Sequence, residues 1–294
     1  MQRNFALNLS VNTIQAYEFT LKSLKDFLKQ EQKTDDIEQV SSAVLRRYFI
    51  FTAETMNGET RQGFYRRLNT FFNFLVNEEM IKDNPLNKVE KPRKSKRILQ
   101  AFSSTEVSKM MSAFDTDTFI GRRNYTILSL LLSTGLRRSE YLGLKVSDVD
   151  IAGGFIRVIG KGDKERIVPI SKALGLILRQ YLKARDEYLK GYADTPYFII
   201  SKYRRKLSKY GNNSIFRNLR IDLKLTGKRF SAHTWRHTFA KAFLLNGGDV
   251  FTLQELLGHA DVETTKVYVN LTNRDKEIQN RKYNPLDNNK WQYY

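Results

Sequence analysis

Four short segments of this 294-residue chain hold side chains suited to polar chemistry. They are Thr134-Gly135-Leu136-Arg137-Arg138-Ser139-Glu140, the lysine of Gly160-Lys161-Gly162, His233-Thr234-Trp235-Arg236-His237, and Leu257-Gly258-His259 with Tyr268 nine residues further on. Guanidinium groups grip oxyanions with a planar fork, while ammonium and imidazole groups can move protons. Taken singly, each segment also has an ordinary reading. Arg137 and Glu140 at i,i+3 describe a helix-surface ion pair. Lys161 describes a turn lysine, and His259 after a glycine a helix C-terminus. Tyr268 is one of 15 tyrosines, a residue type often found in cores. His233 and His237 at i,i+4 have metal-ligand spacing, but Thr, Trp and Arg stand between them. No Glu follows the first His, so the zinc-protease pattern fails and no metal is expected.

The elements that must position these segments follow from periodicity. After Ser10, an N-cap residue, the run Ile14, Tyr17, Leu21, Leu24, Phe27, Leu28 recurs at helical spacing. Ala43, Leu45, Tyr48 and Phe49 predict a second helix, and Thr60 to Glu79 a third. The third puts Phe64, Leu68, Phe71, Phe72 and Leu75 on a core face and Arg61, Arg66 and Arg67 on the other. Ser103 and Glu106 have capping-box spacing and open a second domain, followed by an apolar helix around Tyr125 to Leu132. Phe155 to Ile159 and Arg166 to Ile170 predict a β-hairpin with Lys161 near its tip. Helices are expected again near Lys172 to Leu189, Asn213 to Leu223, His233 to Leu245 and Thr252 to Leu257. Gly247-Gly248 closes the His233 helix.

Composition narrows the function. The net charge is +19, from 50 Lys plus Arg against 31 Asp plus Glu. Residues 1–87 are neutral, with 11 basic and 11 acidic side chains, while residues 88–97 carry six basic residues and one acidic. That run follows Asn84-Pro85, contains Pro92, and reads as a basic linker suited to a phosphate backbone. A polyanionic partner is implied: nucleic acid first, an anionic membrane surface second. The absence of cysteine excludes disulfides and thiolate sites. The longest apolar run, Ile127 to Leu132, is broken by Ser129, far short of the roughly 20 residues that span a bilayer. The N-terminus lacks the apolar core of a secretory signal.

Together, in this order and spacing, the four segments resemble the tyrosine recombinase (phage integrase) family, most of all its compact Xer-type members. The likeness covers nearly the whole chain and includes Ser10-Val11-Asn12-Thr13 at the start of the helical domain. It implies a mainly α fold with a small antiparallel β-sheet in the C-terminal domain, arranged as a two-domain DNA clamp. Residues 1–87 would be a helical, SAM-like core-binding domain and 88–100 the linker. Residues 101–270 would be a mixed α/β catalytic domain, and 271–294 a tail exchanged between subunits.

The family's catalytic set maps onto Arg137, Lys161, His233, Arg236, His259 and Tyr268, with Glu140 as the acid that orients them. The implied reaction is metal-free and ATP-free strand exchange through a 3′-phosphotyrosyl bond to Tyr268, with no cofactor. Arg137 and Arg236 would hold the scissile phosphate, and Lys161 would protonate the leaving 5′-oxygen. Which histidine acts as base stays open.

DNA contacts are expected from Arg61, Arg66 and Arg67, from Lys94, Lys96 and Arg97 in the linker, from Arg204 and Arg205, and from Arg217 and Arg220. The resemblance further implies a homo-tetramer on double-stranded DNA bearing a specific core site, in the cytoplasm at the nucleoid, with an accessory or activator protein left open. Leu271, Ile278, Trp291, Tyr293 and Tyr294 would dock the tail onto a neighbour. With the core-binding resemblance starting near the first residue, no arm-site domain is expected. Two other functions compete: a type IB topoisomerase-like nicking-closing enzyme, and an architectural DNA-binding protein without catalysis.

Overall fold

The computed structural model describes residues 9–32, 36–93, 101–160 and 164–258. The chain divides into two compact units, Met1–Ile98 and Leu99–Tyr294.

The first unit is helical. Its helices are α1 (Val11–Phe27), α2 (Ser42–Thr55) and α3 (Gly58–Asn77). Each starts at a residue whose side-chain oxygen accepts from the backbone N–H three positions on: Ser10 from Thr13, Ser41 from Val44, and Asn57 from Thr60. The apolar stripes meet in one core of Leu24, Phe27, Leu45, Tyr48, Phe64, Leu68 and Phe72. Phe64, Leu68, Phe72 and Leu75 are all buried, as their spacing in the sequence requires. The unit reaches past residue 87. Val89 is buried in the core, and the Tyr65 hydroxyl donates to the Val89 carbonyl at 3.1 Å. Gln62 Nε2 donates to the Pro92 carbonyl at 2.8 Å. The first part of the basic run is therefore held on the helices by its own backbone.

The second unit surrounds a larger core. Helix α4 (Ser104–Met111) opens with the expected capping box: Ser103 N donates to Glu106 Oε2 at 2.7 Å, and Glu106 N to Ser103 Oγ at 3.2 Å. It is followed by α5 (Phe119–Thr134) and the short α6 (Arg138–Gly143). Three antiparallel strands come next: β1 (Val149–Asp150), β2 (Phe155–Ile159) and β3 (Glu165–Pro169). The chain continues as α7 (Lys172–Leu189), α8 (Lys209–Asp222), α9 (Ala232–Leu245) and α10 (Val250–Leu257). Helix α5 lies against both α7 and α9. Its apolar face, with Ile127, Leu128, Leu130 and Leu131, joins Tyr141, Tyr181, Phe198 and Trp235 in the core.

Strand register decides what the hairpin points inward. Ile156 pairs with Val168 and Val158 with Arg166. Successive side chains alternate between faces, so Arg166 shares the inner face with Val168, Ile156 and Val158. The return strand begins at Glu165, one residue before its expected start.

Candidate active site and nucleic-acid interface

The site assembles where α5 gives way to α6. Helix α5 ends on Gly135, whose left-handed backbone (φ +61°) turns the chain. A side chain there would drive its Cβ to 2.4 Å from Phe239 and 2.8 Å from Leu257, so glycine lets α9 and α10 close on the turn. Two residues later Arg137 caps α6, with its side chain about one-third exposed (36%). The carboxylate of Glu140 satisfies the cap: Arg137 N donates to Oε2 at 2.7 Å and Arg137 Nη1 to Oε1 at 2.8 Å.

Glu140 is nearly enclosed, at 3% side-chain exposure. It also accepts both ends of a second guanidinium, Arg166 Nη1 at 2.9 Å and Nη2 at 2.8 Å. Burial by itself would raise its pKa. The hydrogen bonds from Arg166 and Arg137 outweigh that and hold it at about 2, so it is an anion throughout the physiological range.

Helix α9 supplies the next pair. Arg236 is buried, donating from Nη1 to Gly135 O and from Nη2 to Leu257 O, each at 2.7 Å. One turn toward the N-terminus, His233 presents an exposed ring that meets the His237 ring edge-on at 4.3 Å. Partial desolvation, then the like charges of Arg236 and Arg229, push its pKa below the ordinary histidine value. It is therefore neutral at pH 7 and able to accept a proton or a hydrogen bond.

The third contributor is the end of α10. Arg137 Nη2 donates to the Gly258 carbonyl at 2.8 Å, the residue just before His259. Arg137, Glu140, Arg236 and the approach to His259 thus meet at one place, with His233 on the same helix as Arg236. Lys161, His259 and Tyr268 lie outside the described residues, as do Lys94, Lys96, Arg97 and the tail. Arg166 was not anticipated. Its signal was available as an arginine at the inward register of a strand otherwise filled by Val168, but only the pairing reveals that register.

The expected DNA contacts divide. Arg66, Arg205, Arg217 and Arg220 are exposed. Arg220 also donates weakly to Leu225 O at 3.4 Å. Arg61 is half-buried and lines a cavity of about 400 Å³ together with Lys91 and Arg93. Arg205 lines another of about 730 Å³, with Lys202 and Lys206.

Arg67 and Arg204 are half-buried and have partners within their own units. Arg67 lies over the Phe64 ring, donates from Nε to Thr20 Oγ1 at 2.6 Å, and has its pKa lowered chiefly by burial. Arg204 stacks on Tyr188 and Tyr192, its Cζ 4.4 and 3.7 Å from their ring centres, and donates to Tyr188 O. Both side chains are held against aromatic faces that lie within their reach.

The chain is similar in sequence and fold to known proteins of one family. Residues 100–274 match the phage integrase family, and residues 2–93 match the phage integrase SAM-like domain. Tyrosine recombinase XerD of Listeria innocua serovar 6a is 31% identical over 266 residues, covering 90% of this chain and 89% of the relative. The crystal structure of XerA recombinase superposes with a TM-score of 0.56 at 26% identity, over 97% of this chain and 96% of that one. The fold is also that of the XerH site-specific recombinase bound to palindromic difH substrate in a post-cleavage complex. There the TM-score is 0.77 at 19% identity, over 94% and 80% of the two chains. The chain belongs to the phage integrase family and is a site-specific tyrosine recombinase. Among the described residues no helix is long and apolar enough to cross a membrane.

Proposed function

We propose that this recombinase cuts and rejoins duplex DNA at a specific core site through a 3′-phosphotyrosyl bond to Tyr268. One observation carries the proposal. Arg137 and Arg236, distant in sequence, converge on the adjacent carbonyls of Gly258 and Leu257, directly before His259. Two fixed guanidiniums at one point form a receptor for the non-bridging oxygens of a phosphodiester.

In the first half-reaction the Tyr268 oxygen attacks phosphorus. The bond from phosphorus to the 5′-oxygen breaks as the new O–P bond forms. A free phenol has a pKa near 10, so its proton must pass to a base; neutral His233 is suited to this, and His259 is the alternative. The 5′-oxygen takes a proton from Lys161 as it leaves. Arg137 and Arg236 stabilise the added charge on the pentavalent phosphorus. In the second half-reaction the partner strand's 5′-hydroxyl attacks the phosphotyrosine, the same groups work in reverse, and Tyr268 is released. The phosphodiester energy stays in the covalent link, so ATP is not needed. Charge stabilisation by two arginines and a lysine does the work a metal would do elsewhere.

The helical unit, extended past residue 87 to about residue 93 by the contacts of Val89 and Pro92, serves as the core-binding domain and 101–270 as the catalytic domain, joined by the remainder of the basic run. The enzyme works as a tetramer on two core sites, in the cytoplasm at the nucleoid, with the 271–294 tail passed between subunits. The role is Xer-like resolution or the integration and excision of a mobile element. A nicking-closing enzyme would need no partner duplex, and a purely architectural protein would need none of the six side chains.

The test uses a nicked duplex that traps the cleaved end. Wild type is expected to stay attached to DNA through denaturing detergent, in EDTA as in magnesium. Tyr268→Phe is expected to bind the same DNA and form no adduct. Adducts that survive Tyr268→Phe, or that vanish with EDTA, would overturn the assignment. Transfer between two marked duplexes separates recombination from simple nicking and closing.

A further inference from the structure

The last turn of α10 offers three consecutive carbonyls to three different arginines. Leu256 O accepts from Arg166 Nε at 3.0 Å, Leu257 O from Arg236 Nη2 at 2.7 Å, and Gly258 O from Arg137 Nη2 at 2.8 Å. A helix C-terminus leaves these carbonyls without intrahelical donors and carries the negative end of the dipole. Cations there satisfy it and are oriented by it. Two of the three arginines are the proposed phosphate ligands.

Arg166 is different. Its side chain is 13% exposed, and its fork is closed on Glu140 at 2.9 and 2.8 Å. With Nε on Leu256 O, all three of its nitrogens face protein. Glu140 is equally committed. Each of its oxygens accepts twice: Oε1 from Arg137 Nη1 and Arg166 Nη1, Oε2 from Arg137 N and Arg166 Nη2. These bonds use the roughly four lone-pair sites that a carboxylate has. Gly258 closes over the pair with φ +62°, and a Cβ there would sit 3.1 Å from the Arg166 side chain.

Stability alone does not call for an arginine here. The inner face of the hairpin is otherwise Ile156, Val158 and Val168, and well-packed apolar replacements of buried ion pairs are often neutral or stabilising. The bonds instead fix the plane of Arg137. Its Nη1 is held by Glu140 and its Nη2 by Gly258 O, which leaves its other N–H groups for a ligand.

We propose that Arg166 is a positioning residue for DNA cleavage: it immobilises Glu140 and the last turn of α10, and through them sets the Arg137 guanidinium, without touching the phosphate. This rests on Arg137 being a ligand of the scissile phosphate.

The test measures single-turnover adduct formation by Arg166→Gln and Arg166→Lys on two nicked duplexes. One has a normal scissile phosphodiester. The other has a methylphosphonate there, a neutral group with one charged oxygen fewer for Arg137 to stabilise. Arg166→Gln is expected to slow the phosphodiester reaction about 10²-fold, as loss of one preorganised donor does. It should slow the methylphosphonate reaction far less and leave DNA affinity unchanged. Arg166→Lys, which keeps the charge but not the fork, should recover part of the rate. Combined with Arg137→Lys, Arg166→Gln should add no further loss, because both act through one group.

Equal slowing on both duplexes, or fully multiplying losses in the double variant, would overturn the proposal and leave Arg166 a fold residue. If Arg166→Gln does not melt cooperatively, Arg166→Lys carries the same comparison. If wild type forms no adduct on either duplex, it is the reading of the site as a DNA-cleaving centre that fails, and the role of Arg166 falls with it.

Discussion

Glu140 shows how much one side chain can organise. Its carboxylate closes two guanidiniums and one backbone N–H, and its pKa of about 2 lies well below the ordinary glutamate value. A depressed carboxylate contributes fully above the unfolded pKa and loses that contribution as pH falls toward the folded one. A shift of this size corresponds to about 3 kcal/mol. We expect thermal stability to fall between about pH 4.5 and pH 2 in wild type, and the Glu140→Gln curve to be flatter over that window. At neutral pH Glu140→Gln leaves two guanidiniums without their anion, which costs roughly 3–5 kcal/mol. Differential melting across pH checks both statements; parallel curves would show that the carboxylate does not carry the acid sensitivity. At this scale the sequence was informative where spacing is local. Arg137 and Glu140 at i,i+3 announce their contact. Arg67 and Arg204 did not announce that aromatic rings would occupy them, because those rings come from Phe64 on its own helix face and from the distant Tyr188 and Tyr192.

At the scale of elements, the turn between α5 and α6 governs the site. Gly135 combines a left-handed backbone with contacts to α9 and α10 that leave no room for a methyl group. Gly135→Ala meets a left-handed penalty of about 1–2 kcal/mol and an overpacking penalty of about 1–3 kcal/mol. We expect a melting temperature several degrees lower, and an adduct yield reduced beyond what DNA binding loses, because Arg236 anchors on the Gly135 carbonyl. An unchanged yield would separate that turn from catalysis. Most elements were legible from periodicity and caps. The helix expected over Lys172 to Leu189 has those bounds, and the Ser103–Glu106 box opens α4. Helix α8 starts at Lys209 rather than Asn213, because Ser208 caps it. The six-residue α6 and the two-residue β1 passed unseen, being too short for an apolar period.

For the whole molecule the governing quantity is charge. The whole excess of +19 lies outside residues 1–87. A protein that neutralises 6–10 phosphates loses about 10³–10⁵ in affinity between 50 and 200 mM salt. We expect binding to a core-site duplex to follow such a slope, measured by titration at several salt concentrations. A flat dependence would mean that the exposed arginines, including Arg205, Arg217 and Arg220, do not face the backbone. Assembly is a separate property. Cutting the chain after Tyr268 is expected to spare binding by one protomer and reduce tetramers on DNA, read by native electrophoresis.

The helical periods and the hairpin can be read along the chain, since each depends on neighbours a few positions apart. The sequence also carried the family resemblance, because the catalytic types stand at characteristic separations. That Arg137, Arg166 and Arg236 meet on three successive carbonyls at the end of α10 emerges only in the folded chain. That meeting depends on the β2–β3 register and on how α5, α9 and α10 pack. Its acceptors are backbone oxygens, which every residue possesses and no side-chain pattern records.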